Sequence, residues 1–303
     1  MYDRRFAGST LNLSLGFLRS LDLKNVSFIS YLQRDTELFD MVEVYHENSK
    51  IKFHKLNELT SSVSIFKEPE LRFATANIAP DYPFTPEISL NSAFQIPKRF
   101  DKILLSRKSI GHFKDAPLSL QEVSKLLYSA NGIREKIGIN IEYENKNIKT
   151  ELRFRMSPSA GALYPIEIYL ISLSVKGLDA GIYYYAVSHH SLRRLHLSKS
   201  LRSKLTDIFY IDQQIIHLDH VPLILVLAST FWRTRAKYGL LGYRYSLIEA
   251  GHIAQNILLT ATALGLASIP VEGYNEDELN RMIGLDGTEE SAVYTVFVGK
   301  SET

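Results

Sequence analysis

Four short stretches carry residue types that could do chemistry at close spacing. The first is Met156-Ser157-Pro158-Ser159-Ala160-Gly161-Ala162-Leu163-Tyr164-Pro165, where small residues cluster around two prolines just ahead of an apolar run. Small residues let a backbone approach a flat or charged ligand closely. On composition alone, a tight turn explains the stretch equally well. The second is Ser106-Arg107-Lys108-Ser109-Ile110-Gly111-His112-Phe113. Its two cations and hydroxyls beside a turn can hold a phosphate by charge-assisted hydrogen bonds, and a solvated basic loop is the plain alternative. The third is Arg235-Ala236-Lys237-Tyr238-Gly239, followed by Gly242-Tyr243-Arg244-Tyr245. A Lys–Tyr pair can move protons once the lysine is desolvated and its pKa falls. By spacing alone, a surface lysine beside a packed tyrosine is the commoner outcome. The fourth is Ile269-Pro270-Val271-Glu272-Gly273-Tyr274, whose glycine could present its N–H to an acceptor or simply join a helix to a strand. Two further clusters carry less. His217 and His220 lack a third clustered ligand, so no metal site is expected. Tyr183-Tyr184-Tyr185 reads as a strand with a packed face.

These stretches need a scaffold, and the pattern between them supplies one. Ser119 with Glu122 has capping-box spacing, and Val123, Leu126, Leu127 and Ala130 continue an apolar helix face to Gly132. Ile166 to Val175, Gly181 to Val187, Val221 to Ser229 and Ala292 to Val298 read as strands, with a turn at His189-His190-Ser191. Ser246 to Leu264 reads as a long helix, apolar on nearly every face and so buried in a core or an interface. Leu279 to Ile283 reads as a short helix. Upstream, Ser27 to Leu32 and Leu38 to Val44 could be helices and Val63 to Phe66 a strand. Pro80, Pro83, Pro86 and Pro97 then enforce an extended connector. This divides the chain into an extension over 1–95 and a main domain over 96–303, of mixed α+β class.

Composition narrows the function. With 303 residues the chain can bury a large core without staples. The absence of cysteine excludes disulfides, thiolate metal sites, Fe–S clusters and cysteine nucleophiles. Thirty-five Lys+Arg against 33 Asp+Glu leave no global field for nucleic acid or anionic lipid. No apolar run approaches the ~20 residues of a membrane helix, and no signal peptide is clear, so a cytosolic location is expected.

Taken in order, the four stretches resemble the nitroreductase family of flavin enzymes, and within it the SagB-type branch of thiazoline and oxazoline dehydrogenases. The resemblance rests on Ser157 to Glu167, Lys237-Tyr238, Gly242-Tyr243-Arg244, Leu247 to His252 and Pro270 to Tyr274. Tyr45-His46-Glu47 resembles a short N-terminal motif of the branch. It covers 100–303 well and 1–99 thinly.

The resemblance implies an α+β fold around a central antiparallel sheet flanked by helices, and an intertwined homodimer with FMN at its interface. Arg107 and Ser109 fall where the family holds the phosphate and ribityl chain, and Lys300 where it places another phosphate cation. Ser157, Pro158, Ser159 and Gly161 correspond to the segment packing against the ring from the partner subunit. Glu272 and Gly273 correspond to the loop facing the flavin edge. Gly111 stands where the family often has a second arginine, so His112 or Lys300 supplies that charge or FMN binds more weakly. The implied activity is oxidation of azolines on a peptide to azoles, with Lys237 as base and Tyr238 as its partner or relay. A cyclodehydratase is an expected associate. Two rival readings stand beside it. One is a general NAD(P)H-dependent nitro- or quinone reductase, which needs neither the Lys–Tyr pair nor a long N-terminal extension. The other is a non-catalytic scaffold subunit of a peptide-modifying complex.

Overall fold

The computed structural model describes residues 80, 82–91, 99–143, 146–198, 200–212 and 214–302 (backbone only at 141–143 and 146–148), with Tyr45, Ser49, Ser64, Ile65 and Glu68. The chain divides into two compact units, Met1–Lys50 and Ile51–Thr303, and the second is described below. The helices expected over 27–32 and 38–44, and the Tyr45-His46-Glu47 motif apart from Tyr45, lie outside the described residues. Ser64 and Ile65 are helical, so the strand expected over 63–66 is not formed there.

An eight-stranded antiparallel sheet organises this unit. Its strands are β1 (Glu87–Ser89), β2 (Phe113–Lys114), β6 (Ile166–Ser172), β8 (Gly181–Ala186), β9 (Ser191–Leu197), β10 (Leu223–Thr230), β11 (Leu266–Val271) and β12 (Glu290–Ser301), in the order β1-β9-β8-β6-β10-β12-β11 with β2 beside β12. The central strands are apolar without alternation because helices cover both faces. Leu223, Leu225 and Leu227 of β10 point into one core with α2 (Leu120–Asn131) and α5 (Leu240–Ala263). Ile224, Val226 and Ala228 point into the other, with α3 (Leu201–Ile208) and α6 (Glu276–Ile283). The tyrosine triplet divides likewise, Tyr183 and Tyr185 to one core and Tyr184 to the other. Within the proline-rich stretch, Tyr82–Thr85 forms a turn closed by the Thr85 N–H on the Tyr82 carbonyl at 3.2 Å, Glu87–Ser89 adds to the sheet edge beside β9, and Pro97 lies outside the described residues.

The cap expected on α2 forms in full. The Ser119 N–H donates to Glu122 Oε2 at 2.8 Å and the Glu122 N–H donates to Ser119 Oγ at 3.2 Å. Val123, Leu126, Leu127 and Ala130 are buried beneath it. Elsewhere the elements depart from expectation. The strand expected over 166–175 ends at Ser172, and β7 (Val175–Lys176) turns away to pair in parallel with β3 (Leu118–Ser119). The long helix starts at Leu240, six residues before the expected start at Ser246. The segment expected to be a loop at 269–271 is the end of β11, opposite β12. A hairpin of β4 (Ile133–Tyr143) and β5 (Lys146–Arg155) stands off the main sheet. Of two short helices, α1 (Phe100–Ser106) ends at the first residue of the 106–113 stretch and α4 (Trp232–Tyr238) carries Arg235 to Tyr238. Among the described residues no helix is long and apolar enough to cross a membrane.

Candidate functional site

The candidate residues fall into two groups. One is strung along β11. The Ile110 N–H bonds the Ser268 carbonyl at 3.0 Å, which lays the 107–110 segment against that strand. Arg107 is half-buried at the end of α1 and Ser109 is exposed. Lys300 sits opposite Leu266 at the start of β11, whereas Glu272 and Gly273, both exposed, follow Val271, which faces Thr295. Five residues of β12 therefore separate the Lys300 end from the Glu272 end, roughly 17 Å of strand. Such a line suits an elongated ligand with an anion at one end.

Lys300 is already engaged. Its Nζ donates to Glu122 Oε1 at 2.5 Å. Burial pushes the Glu122 carboxyl up, but the bonds from Lys300 and Ser119 outweigh it and hold the group below its ordinary range. Among the described residues Arg107 has no carboxylate bonded to it, unlike Lys300. Gly111 has a steric reason: a Cβ there would lie 2.3 Å from the Ile215 carbonyl oxygen, so this backbone has no room for arginine. His112 is exposed and its ring sits 5.3 Å from that of His217. Among the described residues no group of three or more His, Asp or Glu could hold a metal ion.

The second group gathers at a corner of the sheet. The 157–165 segment leads into β6, whose Ile166 faces Ser229, and α4 follows directly after β10 ends at Thr230. The two stretches therefore meet at the same end of the sheet. Gly161 takes φ +64°, and the place its Cβ would occupy lies 2.6 Å from the Tyr238 hydroxyl and 2.8 Å from Lys237 Nζ. A side chain there would strain the backbone and push the tips of Lys237 and Tyr238 aside. Gly242 does the same service for the helix pair: a Cβ on it would meet the Thr234 carbonyl carbon and oxygen at 2.5 Å. Helix α5 thus presses directly on α4, and the Thr234 hydroxyl donates to the Gly242 carbonyl at 2.9 Å. Lys237 and Tyr238 ride on the last turn of α4, both half-buried. Burial lowers the Lys237 pKa. Burial first, then neighbouring Tyr245, raises that of Tyr238.

The 157–165 segment is strained and anchored. Ala162 and Tyr164 are non-glycine residues at φ +55° and +46°. Tyr164 is held at each polar group: its N–H donates to Ser159 Oγ at 2.8 Å, its hydroxyl accepts the Arg155 N–H at 3.0 Å, and its carbonyl accepts from Arg233 Nη1 at 2.8 Å. Ser157 is buried and donates to Asn131 Oδ1 at 2.9 Å, whereas Pro158 is exposed. Arg233 is itself paired with Glu167 in the core. Sequence reasoning did not single out Arg233, read Glu122 only as half of the α2 cap, and gave Glu249 no role beyond its place in the 247–252 motif. The signal for Glu249 was available: a lone acid on the core-facing stripe that Ala250, Ile253 and Ile257 continue.

Comparison with known proteins fits this architecture. The sequence model of the Nitroreductase family matches residues 104–300. The chain is 32% identical over 199 residues to MJ1384 of Methanocaldococcus jannaschii, whose name places it among nitroreductases, covering 66% of this chain and 90% of that protein. It is 26% identical over 186 residues to the microcin B17-processing protein McbC of Escherichia coli, and 26% identical over 264 residues to the trifolitoxin-processing protein TfxB of Rhizobium leguminosarum bv. trifolii. These matches cover 60% and 85% of this chain, and span 62% of McbC and 66% of TfxB. The fold is similar to a chain in the crystal structure of the E. coli microcin synthetase McbBCD complex with truncated pro-MccB17, at TM-score 0.53 and 22% identity, covering 84% of this chain and 99% of that one. With the family match running from within α1 to the penultimate residue of β12, the chain belongs to the nitroreductase family of flavoprotein oxidoreductases.

Proposed function

We propose that this protein is an FMN-dependent dehydrogenase that oxidises peptide azolines, thiazoline or oxazoline, to azoles. The observation that carries this reading is the convergence of Lys237 Nζ and Tyr238 on Gly161, in the segment matching the branch's ring-packing motif. A general nitro- or quinone reductase has no use for a desolvated lysine paired with tyrosine at that place. The names of McbC and TfxB, both peptide-processing proteins, support the same substrate class.

The residues present suit FMN. Arg107 and Ser109 offer a cation and a hydroxyl to the phosphate end, and Lys300 would serve only by releasing Glu122. Glu272 and Gly273 are exposed to face the ring edge, and the small residues of the Ser157–Gly161 turn, with Pro158 and Ser159, allow close approach to a flat ring. FMN, when bound, supplies the two-electron acceptor. Lys237, with its pKa lowered, takes the azoline Cα proton, whose acidity comes from the adjacent imine-like and carbonyl groups. Tyr238 stays protonated at neutral pH and orients the lysine or relays its proton. The half-burial of Lys237 where α4 meets the 157–165 segment disfavours its charged form. The experiment is incubation of the purified flavoprotein with an azoline-bearing peptide. Loss of two hydrogens in mass is expected, and NAD(P)H-dependent quinone reduction without it sinks the reading.

Residues 96–303 form the catalytic domain in this reading, and 1–95 its extension. A cytosolic enzyme acting beside a cyclodehydratase fits the substrate, since azolines must be made before they are oxidised. Arg107→Ala should weaken FMN binding by ~10–100-fold, the value of one charge-assisted hydrogen bond. Flavin absorbance after dilution and filtration reads this out, and full retention removes Arg107 from the site.

The working unit in this reading is a homodimer. The outer face of α5 carries Leu240, Tyr243, Leu247 and Ile248, each between 38% and 54% exposed. In this reading a second copy covers that stripe, and, as the family resemblance implies, the 157–161 turn of one subunit packs at the flavin site of the other. Light scattering should give a dimer mass, and Ile248→Asp should yield monomers that lose flavin. A flavin-loaded wild-type monomer would contradict this.

A further inference from the structure

Glu249 is a buried acid that no step above uses. It is 2% exposed on α5, and neither carboxyl oxygen has a hydrogen-bond partner. Buried polar groups are nearly always bonded, so each exception calls for a reason. Four groups face it: the Ser159 hydroxyl, the Ile166 N–H at the start of β6, and the guanidinium groups of Arg155 on β5 and Arg233 on α4. Arg233 is committed to Glu167 and to the Tyr164 carbonyl. Arg155 lies over the Tyr164 ring at 4.6 Å, and its Nη1 is buried without a partner. Ser159 Oγ already accepts the Tyr164 N–H, so its own hydrogen remains to be donated. The Ser159 hydroxyl acts on the titration of Glu249, yet no bond of ordinary geometry is closed between them.

We infer that Glu249 is a positioning residue of the 157–164 segment, acting through Ser159: ionised, it draws in the Ser159 hydroxyl and fixes the turn whose Gly161 faces Lys237 and Tyr238. Protonated, it is a weaker acceptor and the turn is held less firmly. Burial raises the pKa of Glu249 to about 7, against the smaller opposing pulls of Ser159, Arg155, the Ile166 N–H and Arg233, so both states exist near neutral pH. The link from Glu249 through Ser159 to the turn does not depend on the azoline chemistry. Its effect on turnover rests on the azoline reading.

Hydrogen exchange of the peptide spanning 157–165, corrected for intrinsic rates, tests the link in the holoenzyme. Wild type should be about tenfold better protected at pH 8 than at pH 6, the value of strengthening one hydrogen bond by charge. Glu249→Gln and Ser159→Ala should each abolish that difference while the far strands β8 and β9 keep theirs unchanged. Equal wild-type protection at the two pH values overturns the proposal, even if a variant fails to fold. In the azoline assay, Glu249→Gln should lower kcat about tenfold at pH 8, leave KM little changed, and match wild type at pH 6. A loss of equal size at both pH values would mean a merely structural role and also overturns it. If protection responds to pH as expected but azolines are not oxidised, the proposed function fails and the role of Glu249 stands.

Discussion

Lys237→Ala should lose ~10²–10⁴-fold in azole formation, the range of general acid–base catalysis, while keeping a normal flavin spectrum. The separation follows from where the lysine sits. It belongs to the α4 corner with Gly161, and not to the line of Arg107 and Ser109 along β11. Its partial burial lowers its pKa, which raises the neutral fraction able to accept a proton. The sign of the pH dependence follows. Turnover should rise with pH as Lys237 deprotonates and level off at a pH below the ordinary lysine value. That limb should vanish in the alanine variant. Tyr238 titrates the opposite way, its pKa raised, so it remains a hydroxyl donor throughout. Tyr238→Phe should then cost as much as Lys237→Ala if it relays the proton, and less if it only orients the amine. A solvated lysine could be truncated within about ±0.5 kcal/mol of stability and with unchanged turnover. An alanine variant that still removes two hydrogens from an azoline peptide ends the assignment.

Which parts of this were legible in the sequence follows from how local each cause is. The α2 cap was readable because Ser119 and Glu122 satisfy each other across one turn. The central strands were readable because burial on both faces leaves unbroken apolar runs. Strand β11 was not, since Pro270 and the exposed Glu272-Gly273 after it read as a loop until β12 supplies the pairing partner. The β4–β5 hairpin hid for a related reason. Its charges at Arg134, Glu135 and Lys136 interrupt the alternation that marks a half-buried strand. At the site, the Lys–Tyr pair and the small-residue turn were each visible, but spacing alone did not say that they meet. Their meeting depends on β6 and β10 pairing so that Ile166 faces Ser229. Lys300 stood in the right stretch, yet its partner Glu122 lies 178 residues away and changes what the cation can do. Gly111 looked like a missing charge and is a close contact with Ile215.

Arg233→Met should destabilise the fold by ~3–5 kcal/mol, the cost of stranding a buried charge by removing its partner. Arg233 and Glu167 are 3% and 2% exposed, with Nη1 to Oε1 at 2.5 Å. The Tyr184 hydroxyl donates to the second Glu167 oxygen at 2.9 Å. Burial, then the Glu167 charge, holds the Tyr184 pKa well above the ordinary tyrosine value, so that donor does not ionise. With Arg233 gone, the carboxylate keeps one hydroxyl and loses its counter-charge. The double variant Arg233→Met/Glu167→Leu should regain part of the stability, because apolar groups of similar volume replace a buried pair at little cost while the buried Tyr184 hydroxyl loses its acceptor. It should not regain activity. Tyr164 is held at φ +46° in part by the bond from Arg233 Nη1 to its carbonyl, and a residue in such a region costs of order 1–3 kcal/mol unless its surroundings impose it. Without that bond the 157–165 turn relaxes, and Gly161 no longer sets the place of Lys237 and Tyr238. Urea unfolding and azoline turnover of both variants check this together. A double variant both stable and active would show that the buried pair serves the fold alone and that the turn holds its shape without it.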